Sequence, residues 1–188
     1  MIELGQSYQL QASYARVQQH RSRHEFWATS AALKLYRCAQ SRGLLGWIRR
    51  LLAGGPCHLL DLGRVEAACK IRERFDLGTR PVPIGRILGS EGRCKDFDAG
   101  FRPLRAHNQA RWVRVAEAMY MGVALPPVDL IQVGDRYFVR DGHHRISVAR
   151  ALGQAEVEAH VTAWRVAGAL PWEQAALARG VASRALPI

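Results

Sequence analysis

The sequence is poor in several features that would assign it to a special class of protein. Its 188 residues contain no run of about 18–20 apolar residues, the length that a membrane-spanning helix requires. Residues 1–6 show no basic flank followed by an apolar block, so we expect no secretory signal. The four cysteines form no C-x-x-C pair and have no histidines at zinc-finger spacing, which argues against a metal site. These absences favour a cytoplasmic globular protein.

Acidic residues are also scarce. The chain has 16 of them against 27 lysines and arginines, which gives a formal net charge of +11. An excess of this size favours attraction to polyanions such as nucleic acid, nucleotides or an anionic membrane face. A second interpretation stays open, because 24 of the 27 basic residues are arginine. An arginine- and alanine-rich composition can simply reflect a GC-rich genome.

The hydrophobic pattern divides the chain into three regions. We predict a basic helical N-terminal region over residues 1–78, an α/β domain over 79–165, and a C-terminal helix or tail over 166–188. The order of helices and strands predicts an α/β (α+β) fold, with a small mixed sheet and packed helices.

The N-terminal region shows helical spacing from about residue 8 to 41, and we expect either a break near 20–23 or two helices, with an end at Gly43. Residues 44–52 then form a short basic amphipathic pattern. Such a helix can lie on a membrane surface, cover a core or dock a partner, and we expect packing. Asp61 is a candidate N-cap for another helix through Ile71, and residues 75–81 are the expected join to the α/β domain.

The rest of the chain carries alternating strand and helix signals. We predict strands over 82–88, 128–133, 136–139 and 157–161, and helices over 106–121, after Arg145, and from Pro171 to about Gly180. The pair Gly134-Asp135 predicts a two-residue hairpin turn between the second and third strands.

The most informative motif is Asp141-Gly142-His143-His144-Arg145, which we call the DGHHR box. Glycine allows a sharp turn with no side chain in the way of a ligand. The helix that follows offers unpaired amides and the positive end of its dipole to an anion. The arginine adds a planar guanidinium suited to phosphate oxygens, and the two histidines can donate hydrogen bonds. The box therefore predicts a phosphate cradle; the alternative is a plain strand-to-helix turn in which Asp141 caps the helix.

A second candidate lies in the segment 89–93. Gly89, Ser90 and Arg93 combine a flexible backbone, a hydroxyl and a guanidinium, so this loop could wrap a second phosphate or a ribose. An ordinary connecting loop is the alternative. Spacing alone does not place Asp96, Asp98 and Arg102 relative to this site.

The segment 128–161, with the DGHHR box followed by a small-residue helix and Gly153, resembles the ParB-like nuclease domain of the ParB/sulfiredoxin-like superfamily. Residues 82–87 look like the opening strand of that family. The resemblance covers about half of the chain and implies a nucleotide- or phosphate-binding domain. ATP, ADP or CTP with magnesium would be the cofactor class.

The box also separates activities within that superfamily. His143 stands where sulfiredoxins have their nucleophilic cysteine, so sulfinic acid reductase activity is not expected. The partition ParB proteins have Gly-Glu-Arg-Arg, which makes CTP switching doubtful here. The free serine kinases have boxes closer to this one, with a glutamate base near the first strand. That resemblance makes Glu91 and His143 the candidate catalytic residues, although a solvated glutamate is the simpler interpretation.

The resulting hypothesis is a protein that binds a nucleotide or phosphorylated ligand through residues 141–145 and so regulates contact with DNA or a protein partner. The N-terminal helices would supply that interface. A small-molecule kinase or nucleotide hydrolase is the first alternative. A DNA-binding protein that uses no nucleotide is the second.

Overall fold

A computed structural model describes residues 3–54, 57–168 and 170–172, with side chains from residue 25 onward. The described residues form a six-stranded mixed sheet with helices packed on it, which confirms the predicted α/β (α+β) class. The helices are α1 (Glu3–Leu52), α2 (Leu62–Ala68), α3 (Gln109–Tyr120) and α4 (His143–Ala151). The strands are β1 (Leu60–Asp61), β2 (Lys70–Pro83), β3 (Ile87–Ser90), β4 (Val128–Val133), β5 (Arg136–Asp141) and β6 (Glu156–Ala167).

The strand order places the end of β5, which leads into the DGHHR box, beside the end of β3. The order is β1-β3-β5-β4-β6-β2, in which β4 and β5 form the predicted hairpin and β3 runs parallel to β5. Because parallel strands end at the same edge of a sheet, Ser90 at the end of β3 lies beside the end of β5. The polypeptide leaves both strands next to the N-terminus of α4.

Each face of the sheet carries its own apolar cluster. Val128 and Leu130 of β4 belong to the cluster that includes Ile146 of α4, while Ile131 and Val133 belong to the cluster that includes α2. This alternation follows from the two-residue period of a strand. It fixes the register of β4 within the sheet.

Residues 3–52 form one helix, α1, instead of the break near residues 20–23 or the two helices that the sequence predicted. Gly43, the expected helix end, lies inside α1. A Cβ atom at this position would lie 3.0 Å from Cβ of Arg102 and 3.4 Å from the carbonyl oxygen of Pro103. The glycine therefore allows α1 to approach the 102–103 segment closely, and it does not end the helix.

A third apolar cluster joins α1 to α3 and α4. The rings of Tyr36 on α1 and Trp112 on α3 meet edge to face at 5.4 Å, and both side chains are buried. The Trp112 indole N–H donates to the Ser147 hydroxyl of α4 at 2.8 Å. The N-terminal helix is thus packed on the same core that positions the DGHHR box.

The region from 69 to 83 differs most from the prediction. Asp61 does cap α2, since its Oδ1 accepts from the amide of Gly63 at 3.0 Å. The helix then ends at Ala68, and β2 runs antiparallel to a β6 that is longer than the predicted 157–161. The predicted strand 82–88 is divided between β2, a 3₁₀ turn at Ile84–Arg86, and β3.

Cross-strand contacts of large side chains stabilise the first half of β2. The guanidinium of Arg165 lies over the ring of Phe75 and bonds to Glu73 at 2.8 Å, while Arg74 lies over Trp164. Strand β2 crosses the position of the predicted boundary at 78–79. The division of the chain into three regions remains a prediction, and this boundary falls within a strand.

The C-terminal helix is described only at its start. Pro171 and Trp172 are helical, as the sequence predicts, and the remainder of the predicted helix to Gly180 lies outside the described residues. Among the described residues, no helix is long and apolar enough to cross a membrane.

Candidate functional site

The DGHHR box turns at Gly142, which adopts a left-handed conformation with φ +93°. A Cβ at this position would lie 2.5 Å from Cγ1 of Val128, so both the backbone angle and the space require glycine. Gly142 is also the N-cap of α4, and it has no side chain with which to bond the first-turn amides. These amides and the positive end of the helix dipole therefore remain available for an anion.

Asp141 and Arg145 hold the turn instead of capping the helix. Arg145 Nη2 bonds to Asp141 Oδ2 at 2.6 Å, and Nη1 bonds to the carbonyl oxygens of Pro126 and Pro127, the latter at 2.7 Å. The sequence predicts Arg145 as a phosphate ligand, but its guanidinium is occupied by these protein acceptors. These bonds fix residues 126–127 against the Gly142 turn, and the contact of Arg145 with phosphate stays a prediction.

His143 is buried, and neighbouring side chains fix the orientation of its ring. Its Nε2 lies 2.7 Å from the Ser90 hydroxyl, and its ring stacks on Phe97 at 6.1 Å. Burial, assisted by the positive charge of Arg93, lowers the pKa of His143 to about 4. The imidazole is therefore neutral at pH 7 and offers a neutral hydrogen-bond donor or acceptor.

His144 is one of five residues with a buried polar side-chain atom that has no hydrogen-bond partner in the described part of the chain. Only 5% of the residue is exposed, and its Nδ1 is buried with no hydrogen-bond partner among the described residues. Burial, with Arg93 and Arg111 nearby, lowers the pKa of His144 to about 4 as well. A buried polar atom without a partner costs free energy, which a ligand with a complementary group could recover.

Gly89 and Ser90 lie in β3, not in the predicted loop, and neither lines the site. A Cβ at Gly89 would overlap the ring of Phe138, so this glycine is required for packing. Ser90 is fully buried, and its hydroxyl accepts the amide of Arg93 at 3.2 Å and meets His143. Both residues support the packing of the site in this structure, and their contact with a ligand stays a prediction.

The first turn of α4 opens into a cleft of about 360 Å³. Four arginines and two carboxylates line it, so the cleft is net positive when both histidines are neutral. Apolar side chains form another part of its wall. The lining comprises Glu91, Arg93, Arg111, Val115, Leu125, Pro126, Arg140, and residues 141–145.

Arg93 and Glu91 reach this cleft from the segment after β3. Arg93 is held by Asp96, with Nε–Oδ2 at 2.8 Å, and by Asn108 Oδ1 at 3.0 Å. Glu91 pairs with Arg140 at 3.2 Å, and both side chains are about half exposed. The structure thus brings Glu91, Arg93 and His143 to one cleft, as the sequence suggested, without testing a catalytic role.

Asp98 and Arg102, which the sequence could not place, lie away from the cleft lining. Asp98 is buried, and its Oδ1 accepts the amides of Gly100 and Arg102, each at 2.8 Å. It therefore stabilises the turn that packs against α1.

A comparison with solved structures finds sulfiredoxin from Arabidopsis thaliana. The TM-score is 0.33 and the sequence identity 19%, over 44% of this chain and 82% of that one. No protein-family model matches the chain, and no curated protein does.

Two arginines of the cleft were not among the predicted site residues. Arg111 comes from α3, and Arg140 directly precedes the box. Proximity to the box could have identified Arg140. Arg111 reaches the site through the packing of α3 beside α4, which no local pattern encodes.

The carboxylates of the cleft do not suit a resident metal ion. Asp141 is bonded to Arg145 and Glu91 to Arg140. Within the described residues, no group of three or more His, Cys, Asp or Glu side chains could hold a metal. A magnesium ion that arrived with a nucleotide would have to rely mainly on phosphate oxygens and water.

Proposed function

We propose that this protein binds a nucleotide or a related phosphorylated small molecule in the cleft beside the N-terminus of α4. The observation that carries the proposal is the uncapped first turn of α4, which opens between Arg93 and Arg111. Backbone amides at a helix N-terminus favour phosphate, and guanidinium groups add charge-assisted hydrogen bonds.

The cleft also supports a ligand with a less polar body. Val115, Leu125 and Pro126 form an apolar wall next to the charged side. A volume of about 360 Å³ lies at the lower end of the range of roughly 300–1,000 Å³ for small-molecule sites. In this proposal the phosphate lies against Gly142, His143 and Arg93, while the remainder of the ligand contacts the apolar wall.

Titration calorimetry with ATP, ADP and CTP tests this proposal, and α3 offers a matched pair of variants. Arg111 lines the cleft, while Arg114 is exposed on the same helix outside it. Arg111→Ala should weaken binding by roughly 10- to 100-fold, because a charge-assisted bond to phosphate is worth about 1.5–3 kcal/mol. Arg114→Ala should leave the affinity unchanged. Absence of binding by all three nucleotides, or equal losses in both variants, contradicts the proposal.

An enzymatic function is the second candidate, because Glu91 and His143 line the same cleft. A carboxylate beside a bound phosphate could orient a hydroxyl or a water molecule for phosphoryl transfer. Phosphate release or transfer from ATP, lost on Glu91→Gln while nucleotide affinity is retained, would favour a kinase or hydrolase. Unchanged turnover in Glu91→Gln would remove Glu91 from that role.

In the same proposal, ligand binding regulates contact with DNA or a protein partner through the N-terminal region. DNA retention measured with and without nucleotide tests the DNA branch. Retention that nucleotide does not alter, and that falls steeply with salt, would favour a DNA-binding protein independent of nucleotide.

A further inference from the structure

The second half of α1 combines positive charge with exposed apolar side chains. Between Glu25 and Asp61 the sequence contains no acidic residue, although it contains five basic ones. The last turns of the helix carry five large aliphatic residues that are between 47% and 83% exposed. They are Leu44, Leu45, Ile48, Leu51 and Leu52. We call this group the α1 apolar face.

The α1 apolar face lies opposite the side that packs on the protein. At 100° per residue, its five side chains fall within an arc of about 120°. The buried side of the same turns presents the small residues Ala39 and Gly43, and Gly43 meets Arg102. A helix that only covered a core would direct its leucines inward. Here small residues serve the core, and the large aliphatic residues face away from it.

Basic residues border and extend this face. By the same rotation of about 100° per residue, Arg49 and Arg42 lie about 40° and 60° beyond one edge of this face. Lys34 and Arg37 continue the same side toward the N-terminus. The arrangement is that of an interfacial helix, whose apolar residues enter the acyl boundary while long basic side chains extend to anionic headgroups.

We propose that the α1 apolar face docks on an anionic lipid surface. Pairing with a second copy is disfavoured, because it would bring two sets of arginines together in a segment without carboxylates. Nucleic acid would satisfy the arginines but not five exposed aliphatic side chains, since phosphate contacts are polar. A lipid surface accommodates both features at once. This proposal does not depend on the function of the cleft.

Vesicle co-sedimentation tests the proposal with the full chain. Phosphatidylcholine vesicles containing phosphatidylserine should bind the protein, and vesicles of phosphatidylcholine alone should bind it at least about tenfold more weakly, since each basic residue near an anionic surface contributes about a fivefold factor. Arg49→Ala should reduce binding about fivefold. The double variant Leu45→Glu/Leu52→Glu should reduce it by more than about 100-fold, because two aliphatic groups are lost and two negative charges added.

Met121→Glu/Val123→Glu is the matched control. These residues are also about half exposed, at 48% and 52%, and they follow α3 near the other part of α1. The control should bind like the original protein, and circular dichroism should show equal helix content in all variants.

Three results would overturn the proposal. The first is equal binding to both kinds of vesicle. The second is an oligomer in solution that the α1 variant dissociates, which assigns the face to a second copy. The third is duplex DNA binding that the same variant abolishes while vesicle binding persists.

Discussion

At the scale of single residues, Gly142 is required for two reasons: its backbone is left-handed, and there is no space for a Cβ atom. Substitutions can separate the two effects. Gly142→Ala introduces a Cβ 2.5 Å from Val128 in a left-handed conformation. Gly153, after the end of the same helix, is also left-handed at φ +76°, but a Cβ added there would meet nothing within 4 Å. We expect Gly153→Ala to lower the free energy of unfolding by about 1–2 kcal/mol, the cost of the backbone conformation alone.

Gly142→Ala should cost more than Gly153→Ala, by at least about 1 kcal/mol, because Val128 must also move. Urea denaturation of both variants measures the difference. Gly142→Ala should also weaken nucleotide binding in the cleft, whereas Gly153→Ala should not. Equal destabilisation by the two substitutions would show that the close approach to Val128 is not a constraint.

The two histidines of the box make stability depend on pH. Burial lowers both pKa values to about 4, from an ordinary value of 6.5. Below pH 6.5 the unfolded chain therefore binds protons that the folded chain does not bind, and the free energy of unfolding falls as the pH decreases toward 4. Above pH 7 the contribution is constant, because both states are neutral.

Each histidine should account for a loss of the order of 2–3 kcal/mol between pH 7 and pH 4. Chemical denaturation at intervals across this range measures the slope. His144→Gln should reduce the slope, with the exposed His107→Gln as the control substitution. A free energy of unfolding that stays level from pH 7 to pH 5 would contradict the buried, neutral state of these rings.

At the scale of elements, the bond between Trp112 and Ser147 couples α3 to α4. Ser147→Ala leaves the buried indole N–H without its acceptor at 2.8 Å, which should cost about 1–3 kcal/mol. Trp112→Phe removes the donor as well as part of the ring. In the double variant neither unpaired group remains. The stability losses of the two single variants should therefore sum to more than the loss of the double variant, with a coupling of about 1 kcal/mol. Denaturation of the three variants gives this coupling, and strict additivity would contradict it.

Elements with strong local signals were predictable from the sequence. The hairpin at Gly134 needs a left-handed residue, and α3 shows helical spacing, so both could be predicted without tertiary information. The DGHHR box was located in the same way. The order strand, Gly142, helix is a local property of the chain.

The failures occurred where distant contacts decide the structure. Gly43 remains helical because Arg102, far along the chain, passes beside it. Strand β2 is exposed over most of its length and shows no alternation of apolar residues, so only its pairing with β6 reveals it. The contacts of Arg145 could not be predicted for the same reason, since its acceptors Pro126 and Pro127 lie 18–19 residues earlier.

At the scale of the whole molecule, the packing decides which residues can form an independently folding unit. The sequence placed the start of the α/β domain at residue 79. In the structure, Leu62 and Val65 of α2 pack with Phe138 and Trp164, and β2 pairs with β6 from residue 70 onward. A fragment limited to 79–165 would expose one face of the sheet and most of the β6 edge.

We therefore expect fragment 79–165 to show no cooperative unfolding transition, because it lacks β1, α2 and most of β2. Of the helices and strands that the structure describes, fragment 57–172 lacks α1 alone. It should therefore unfold cooperatively but with lower stability than the full chain, since Trp112 loses its contact with Tyr36. Thermal unfolding followed by near- and far-ultraviolet circular dichroism distinguishes the three chains. If 79–165 matched 57–172 in cooperativity and midpoint, α2 and the first half of β2 would be accessories to the fold, and the sequence boundary at residue 79 would be correct.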